Sequence, residues 1–494
     1  MVPIAIAVHD QPAKGETGVT SESGNDRMGN SSSSLELQTR GGLLYSNDRH
    51  QKGYTLVAPM QSRRTFLVDS KGKVVHSWDS AYRAGRSAYL LEDGSILRGG
   101  VVRPPKHFEA AGGAGGRIQR VNWYNEIDWD FWYAGTNFMA HHDIEPMPNG
   151  NVLVLVWDYK TREDAIAAGR DPDELHEKGL WVDGIVELRP VGEEGADIVW
   201  KWSAWDHLVQ DFDKDKGNAG DVGAHPGLID FNYNEREDQD WIHLNSIDYN
   251  EKLDQIVVSA HGFNELWVID HSTTTAEAAT HEGGRCGRGG DLLYRWGNPR
   301  AYRAGTKADQ QLFRQHDVRW IEKDHPGAGN LLIFNNGWLR PLIEYSSIEE
   351  IVPPLQEDGT YARGDGAYGP ASPIWQYIAP EKEVFYAQRI SGAQRLPNGN
   401  TLICSGPRGI LFEVDENGEQ TWQYQMPFGR QRGAPLPPGG TPEGPRPVIR
   451  ATGMSDQPGA TDVIPFTPFA VFKAERYGLD YPGVSRLKDS SEAD

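Results

Sequence analysis

Three short motifs set histidine beside a second polar group: His141-His142-Asp143, His243-Leu244-Asn245 and Gln315-His316-Asp317. A fourth histidine, His261, follows Ser259-Ala260. Imidazole can act as a nucleophile, as a proton carrier near neutral pH, or as a ligand for zinc, copper, iron or nickel. One such residue is usually structural. Several in equivalent sequence surroundings point to a shared site, if the fold gathers them. A strand alternates its side chains, so Asn245 is expected on the same face as His243. For the same reason His141 and His142 must point opposite ways, and the sequence leaves open which enters the site. Asn335, Asn336, Arg389 and Gln394 are candidates for binding substrate, with Asn264, Glu265 and Arg395 as neighbours that also fit turn or rim roles. Asp143 and Asp317 are candidate acceptors for the second ring nitrogens of the histidines.

The elements that carry these motifs repeat. Ser391 to Tyr424 reads as four short strands separated by a turn at Pro397-Asn398-Gly399-Asn400, then an acidic turn, with Trp422 near the end of the outer strand. The unit recurs from His141 to Trp202, from His243 to Trp296 and from His316 to Tyr377, where LIEYS is read as the third strand. A weaker copy begins at Ser87, and an opening copy begins at Gly53 without its first strand. Phe466 to Lys473 is the apolar stretch expected to supply that strand and close the ring. The expected fold is all-β, a six-bladed β-propeller of four-stranded blades over 41–485 with long inter-blade loops. The N-terminal flank 1–40 reads as disordered or processed, and 486–494 as a flexible tail. A pair of β-sandwiches is the competing architecture. Insertions are expected at Tyr159–Gly179, Asp206–Gln239, Tyr345–Ala371 and Gly429–Thr461. In a propeller the first strand of each blade lines the channel, which would bring the histidine motifs to the axis.

Composition agrees with this. The chain of 494 residues has 16 Trp, 56 Gly and 31 Pro, which suits many strands and turns. The net charge of −21 argues against nucleic acid or an anionic membrane as partner. An acidic protein that handles an anion must build a local positive pocket against its own field. Cys286 and Cys404 cannot make a disulfide framework, though they leave one pairing open. No stretch reaches the length of a transmembrane span. Val2–Val8 is too short, and lacks the basic flank, for a complete signal peptide.

Taken in order, HHD followed by MPNGN, HLNSI, QHD followed by FNNG, and SGAQRLPNGN resemble the arylsulfotransferase family, across roughly Gly53 to Tyr424. The resemblance implies a six-bladed propeller and sulfuryl transfer from an aryl sulfate to a phenol through a sulfated histidine, in a periplasmic or secreted setting. His316 then matches the nucleophile, His243 and Asn245 the residues at the sulfuryl oxygens, and one of His141 and His142 the remaining channel histidine. The family has arginine where this chain has His261. A guanidinium stabilises sulfuryl oxygens by bidentate bonding, which a neutral imidazole cannot do.

Three readings follow. Sulfuryl transfer is preferred; it uses a small aromatic or anionic substrate and requires no cofactor. The second is a metal-dependent lyase, hydrolase or oxidase with a transition metal on His142, His243, His261 and His316. The third is a binding propeller without catalysis. Oligomeric state is not legible.

Overall fold

The computed structural model describes residues 41–109, 111–233, 238–428 and 467–487. The expected N-terminal segment 1–40, the insertion Gly429–Thr461 and the tail from 488 lie outside the described residues. Among the described residues there are six sheets of four or five strands, one two-stranded parallel pair and two short α-helices.

Each large sheet is a blade. From the axis outward, blade 1 is Val471–Tyr477, Tyr54–Pro59, Arg64–Asp69 and Val74–Asp79. Blade 2 is Ala84–Leu90, Ile96–Val101, Gly116–Val121 and Ile127–Trp132. Blade 3 is Phe138–Pro146, Val152–Lys160, Leu180–Val191 and Gly195–Ser203. Blade 4 is Leu244–Asn250, Gln255–Ala260, Glu265–Asp270 and Tyr294–Trp296. Blade 5 is His316–Trp320, Leu331–Asn335, Ser347–Ile351 and Trp375–Tyr377. Blade 6 is Gly392–Arg395, Thr401–Ser405, Ile410–Val414 and Gln420–Gln425. Each inner strand packs against the inner strand of the next blade, and the sixth returns to the first.

The far end does supply the missing inner strand of blade 1, but as Val471–Tyr477 rather than 466–473, because Thr467–Phe469 turns before the strand begins. The third strand of blade 5 is Ser347–Ile351, not LIEYS. Residues 338–343 turn back on themselves and leave Leu342 fully exposed. Gly42–Ser46 adds a fifth strand outside blade 6, so the two ends of the ring close in neighbouring blades.

Apolar side chains lie on both faces of the blades. Six buried clusters result, one at each junction: Leu155 and Ile247 belong to the one between blades 3 and 4, Leu411 and Val57 to the one between blades 6 and 1. Such burial is the main favourable contribution to folding. Direction and register come from polar contacts that repeat with the blade.

The outer-strand tryptophans form one such series. The indole N–H groups of Trp78, Trp129, Trp202, Trp296, Trp375 and Trp422 donate to the carbonyls of Asn122, Gly195, Gly290, Pro370, Glu416 and Ser70 at 2.8–3.0 Å. Five acceptors lie between the third and outer strands of the following blade, and Gly195 begins the outer strand of blade 3. A second series runs at the axis. Ser87, Asp143, Ser246, Asp317 and Gln394 accept from the backbone N–H of Ile144, Ile247, Val318, Ala393 and Arg476, each in the next inner strand. Asp143 and Asp317 therefore brace inner strands, and no bond to a histidine ring is formed by either carboxylate; this corrects the expectation that they orient the imidazoles.

These two aspartates also hold Lys473. Its buried Nζ lies 2.9 Å from Asp143 Oδ2, 3.6 Å from Asp317 Oδ1 and 2.5 Å from the Tyr89 hydroxyl. Beside it, Arg319 of blade 5 bonds both oxygens of Glu475 in blade 1 at 2.7 and 2.8 Å. Burial works against the ammonium, but the carboxylates of Asp143 and Asp317 outweigh it and hold Lys473 protonated above its usual range. Removing one member of a buried ion pair strands the others. Lys473→Met should accordingly lower stability by about 3–5 kcal/mol, read as a shift of the urea midpoint. An unchanged midpoint would show that the axial charges do not hold the ring.

Candidate active site

The inner strands do not keep a period of two. Between Leu244 and Ile247, and between His316 and Arg319, three steps oppose two on the paired strand; between Ala140 and Ile144, and between Ala84 and Ala88, four oppose two. These bulges occur at equivalent places in blades 2 to 5. Positive φ values accompany them at Arg86 (100°), His142 (43°), His243 (56°) and Asp317 (47°). Left-handed backbone is uncommon for such residues and concentrates where function constrains side-chain direction.

Four imidazoles meet in one arc at the axis, three from within or beside these bulges and His261 from the end of the second strand of blade 4. Ring centroids lie 4.4 Å apart for His142 and His243, 4.8 Å for His243 and His261, and 5.3 Å for His261 and His316. Phe472 of the closing strand contacts both ends, 6.3 Å from His142 and 6.2 Å from His316. His142 is the member of its pair that enters the arc. His141 stacks on Trp157 at 3.9 Å and reaches His142 Nδ1 through its own Nδ1 at 2.9 Å. Gly113 packs directly on the His142 ring; a Cβ there would fall 1.9 Å from Cε1, so only glycine fits.

His316 has a defined tautomer. Asn336 Nδ2 donates to the carbonyls of Ala387 and Ile390 at 2.7 and 2.8 Å, which turns its Oδ1 toward His316 Nδ1 at 2.9 Å. An amide oxygen only accepts, so Nδ1 carries the proton and Nε2 keeps the lone pair. The Ile390 N–H faces that lone pair at 3.2 Å. Burial pushes the His316 ring down to about 4, helped by the neighbouring Arg389, and His141 down to about 3. His142 also lies well below the usual range, through burial first and then His243, His141 and Arg86. At neutral pH these three rings are uncharged.

His243 is held differently. Its Nδ1 bonds the Asp240 carboxylate, while its backbone N–H and that of Leu244 donate to Asp183 at 3.1 and 2.8 Å. A carboxylate on Nδ1 fixes the tautomer and supports an imidazolium when the ring takes up a proton.

Other sequence candidates are placed as follows. Asn245 donates to the Gln315 carbonyl at 2.9 Å, and its buried Oδ1 has no hydrogen-bond partner among the described residues. The bulge at Leu244–Ile247 turns the amide nitrogen toward blade 5, so the two-residue spacing does not set its direction. Asn335 ties the Phe313 N–H, the Gln311 carbonyl and Glu349. Gln394 clasps the backbone of Arg476 on both sides. Asn335 and Gln394 thus sit in the framework, whereas Asn336 supports His316 directly. Arg389 is half-buried next to Ile390, close enough to His316 to depress it electrostatically.

Two arginines escaped the reading of the sequence. Arg314 immediately precedes Gln315-His316-Asp317, and its buried guanidinium donates to the carbonyls of His261 and Gly262 at 3.2 and 3.3 Å. Arg86 donates to the Gly112 carbonyl, and burial together with Arg83 pushes it down to about 10. The position of Arg314 beside the QHD motif was a usable signal; Arg86 had none. Beside Arg314 a cavity of about 240 Å³ is lined in part by Lys307, Phe313, Trp338 and Asn264.

Among the described residues, no three channel histidines bring donor nitrogens within 4.8 Å of one another. As arranged, His142, His243, His261 and His316 do not fit a single cation, which needs nitrogens converging to about 2.0–2.1 Å. Cys286 and Cys404 are free thiols. No helix among the described residues is long and apolar enough to cross a membrane.

Among solved structures, a protein of unknown function from Bacteroides caccae is 12% identical, with a TM-score of 0.42 over 76% of this chain and 94% of its own. A streptogramin B lyase is 10% identical, with a TM-score of 0.37 over 79% and 84%. A virginiamycin B lyase from Staphylococcus aureus is 9% identical, with a TM-score of 0.34 over 78% and 89%. Similarities this small carry no argument about chemistry. No curated protein matches the chain. The family model for arylsulfotransferase (ASST) matches residues 44–431. That span passes through all six blades and every histidine motif, and the chain therefore belongs to the arylsulfotransferase family.

Proposed function

We propose that the protein transfers a sulfuryl group from an aryl sulfate to a phenolic acceptor, with His316 Nε2 carrying the group between the two. The observation that carries this reading is the setting of His316: a neutral imidazole at the channel axis, with its proton committed to Asn336 and its lone pair on Nε2. Membership of the arylsulfotransferase family supports the same assignment.

In the first half, Nε2 attacks sulfur, the S–O bond to the aryl group breaks, and the phenolate takes a proton from His243. In the second, the acceptor hydroxyl returns a proton to His243 as its oxygen attacks sulfur, and the S–N bond breaks. Asp240 supports the imidazolium that His243 presents before the first half and regains in the second, and His243 is neutral in between. Attack requires the long Ile390 contact to open, after which that N–H faces the sulfuryl oxygens as a donor. His261 cannot supply the guanidinium that the family places there. Arg389, Arg86 and Arg314 supply positive charge around the arc instead, within a chain of net charge −21. The cavity beside Arg314, with Phe313, Trp338 and Lys307, suits an aromatic anion. A periplasmic or secreted location belongs to the same proposal.

His316→Ala should abolish transfer between 4-nitrophenyl sulfate and phenol, and the wild-type chain mixed with donor alone should gain one sulfuryl mass on the peptide containing His316. Normal transfer by the variant would remove His316 from the mechanism.

The acid side of the pH profile is a separate check. A ring held at about 4 stays neutral until the pH falls through that value. The acid limb of kcat/KM should thus lie near pH 4 rather than near the ordinary histidine value of about 6.5. Asn336→Ala frees the tautomer and should cut kcat by about 10²–10⁴-fold with little change in KM. A limb near 6.5, or an unaffected kcat, would show that the Asn336–His316 pair does not govern the reaction.

A further inference from the structure

A second histidine cluster lies outside the channel, at the outer junction of blades 3 and 4. His207 ends the turn Ala204–His207 that follows the outer strand of blade 3. His281 and Asp291 belong to the connection between the third and outer strands of blade 4. The His207 ring is fully buried and lies parallel to Trp202, 5.7 Å away. Asp291 is mostly buried and His281 is more than half exposed.

The hydrogen-bond inventory does not close with neutral rings. His207 Nε2 lies 2.9 Å from the Ala278 carbonyl, and Nδ1 lies 2.8 Å from Asp291 Oδ1. A carbonyl and an ionised carboxylate both only accept. A neutral imidazole has one N–H, so either tautomer sets a lone pair against an acceptor. His281 Nδ1 approaches the same Asp291 Oδ1 at 2.8 Å. A metal ion between His207 Nδ1, His281 Nδ1 and Asp291 Oδ1 would satisfy all three atoms at once.

Three details favour the metal. The donor atoms of His207, His281 and Asp291 all lie within 4.8 Å of one another. His207 offers Nδ1 while Nε2–H is held by a backbone carbonyl, the outer support that metal-bound histidines ordinarily have. The support is rigid: a Cβ on Gly290 would lie 2.5 Å from His207 Nε2 and 2.1 Å from the Ala278 carbonyl, and the Gly290 carbonyl accepts the Trp202 N–H. For a tetrahedral ion, ligand atoms sit about 3.4 Å apart, so the 2.8 Å pairs must open by roughly half an ångström. The exposed His281 opens one pair by moving, and a turn of the Asp291 carboxylate, which is common to both pairs, opens the other.

We infer that His207, His281 and Asp291 form a binding site for one divalent transition-metal ion, with water in the fourth position. Two imidazoles and one carboxylate match Zn²⁺, whereas Ca²⁺ and Mg²⁺ prefer all-oxygen shells. The ion links the blade 4 connection to the corner of blade 3.

The test uses the full chain after chelator treatment, titrated with Zn²⁺ by calorimetry at neutral pH and followed by thermal melting. Wild type should bind one Zn²⁺ at this site and melt at a higher temperature with it. His281→Ala, a change at an exposed position, should weaken binding by at least ~100-fold, beyond the ~10–100-fold that outer-shell changes cost, and should lose the thermal shift. Asp291→Asn should weaken binding similarly, and His316→Ala should bind as wild type does. Unaltered binding by His281→Ala, loss of binding in His316→Ala, or no binding by wild type would overturn the assignment. None of these readouts depends on sulfuryl transfer.

Discussion

Each blade must be held to the next by bonds that point one way around the ring. In this protein the indole N–H of each outer strand reaches a carbonyl before or at the start of the outer strand of the following blade, six times in succession. Apolar packing between blades supplies most of the stabilisation but little direction, since it is non-directional. The tryptophan bond adds direction: an unpaired indole N–H or carbonyl in a dry junction costs about 1–3 kcal/mol. At the axis, side-chain acceptors on one inner strand and backbone N–H groups on the next repeat the arrangement. Lys473 joins Tyr89, Asp143 and Asp317, drawing blades 1, 2, 3 and 5 together.

A frame closed in this way can hold strained backbone at its centre. His142 and His243 adopt positive φ within or beside bulges, and the surrounding strands leave them little alternative. Burial then holds the His141, His142 and His316 rings neutral, because a buried charged imidazole loses hydration. A neutral ring with its lone pair on Nε2 suits the attack proposed for His316. Arg86, Arg314 and Arg389 bring positive charge close to the arc.

The two histidine clusters illustrate how partners decide an imidazole's capacity. In the channel, His316 is held by an amide and a backbone N–H, and the four nitrogens spread along an arc. At the outer junction, His207 is wedged between a carbonyl and a carboxylate. The same side chain is proposed for attack in one place and for coordination in the other.

The repeats were legible because each blade reuses its turn residues and its outer tryptophan, and the fold requires them in every copy. Six blades, the closing strand near the C-terminus and the gathering of His243, His261, His316 and one of His141 and His142 were all read from the sequence. Side-chain direction did not follow. Bulges between Leu244 and Ile247 and between His316 and Arg319 break the period of two, so the direction of Asn245 and the choice between His141 and His142 were decided only by the folded strands. LIEYS and Ser347–Ile351 are both plausible strands, and only pairing with Leu331–Asn335 selects the second. Arg86 reaches the arc from a different blade, and His207 meets His281 and Asp291 across 74 and 84 positions of chain. Local pattern encodes which elements form; contacts between distant elements arise from closure of the ring, which no short stretch of sequence contains.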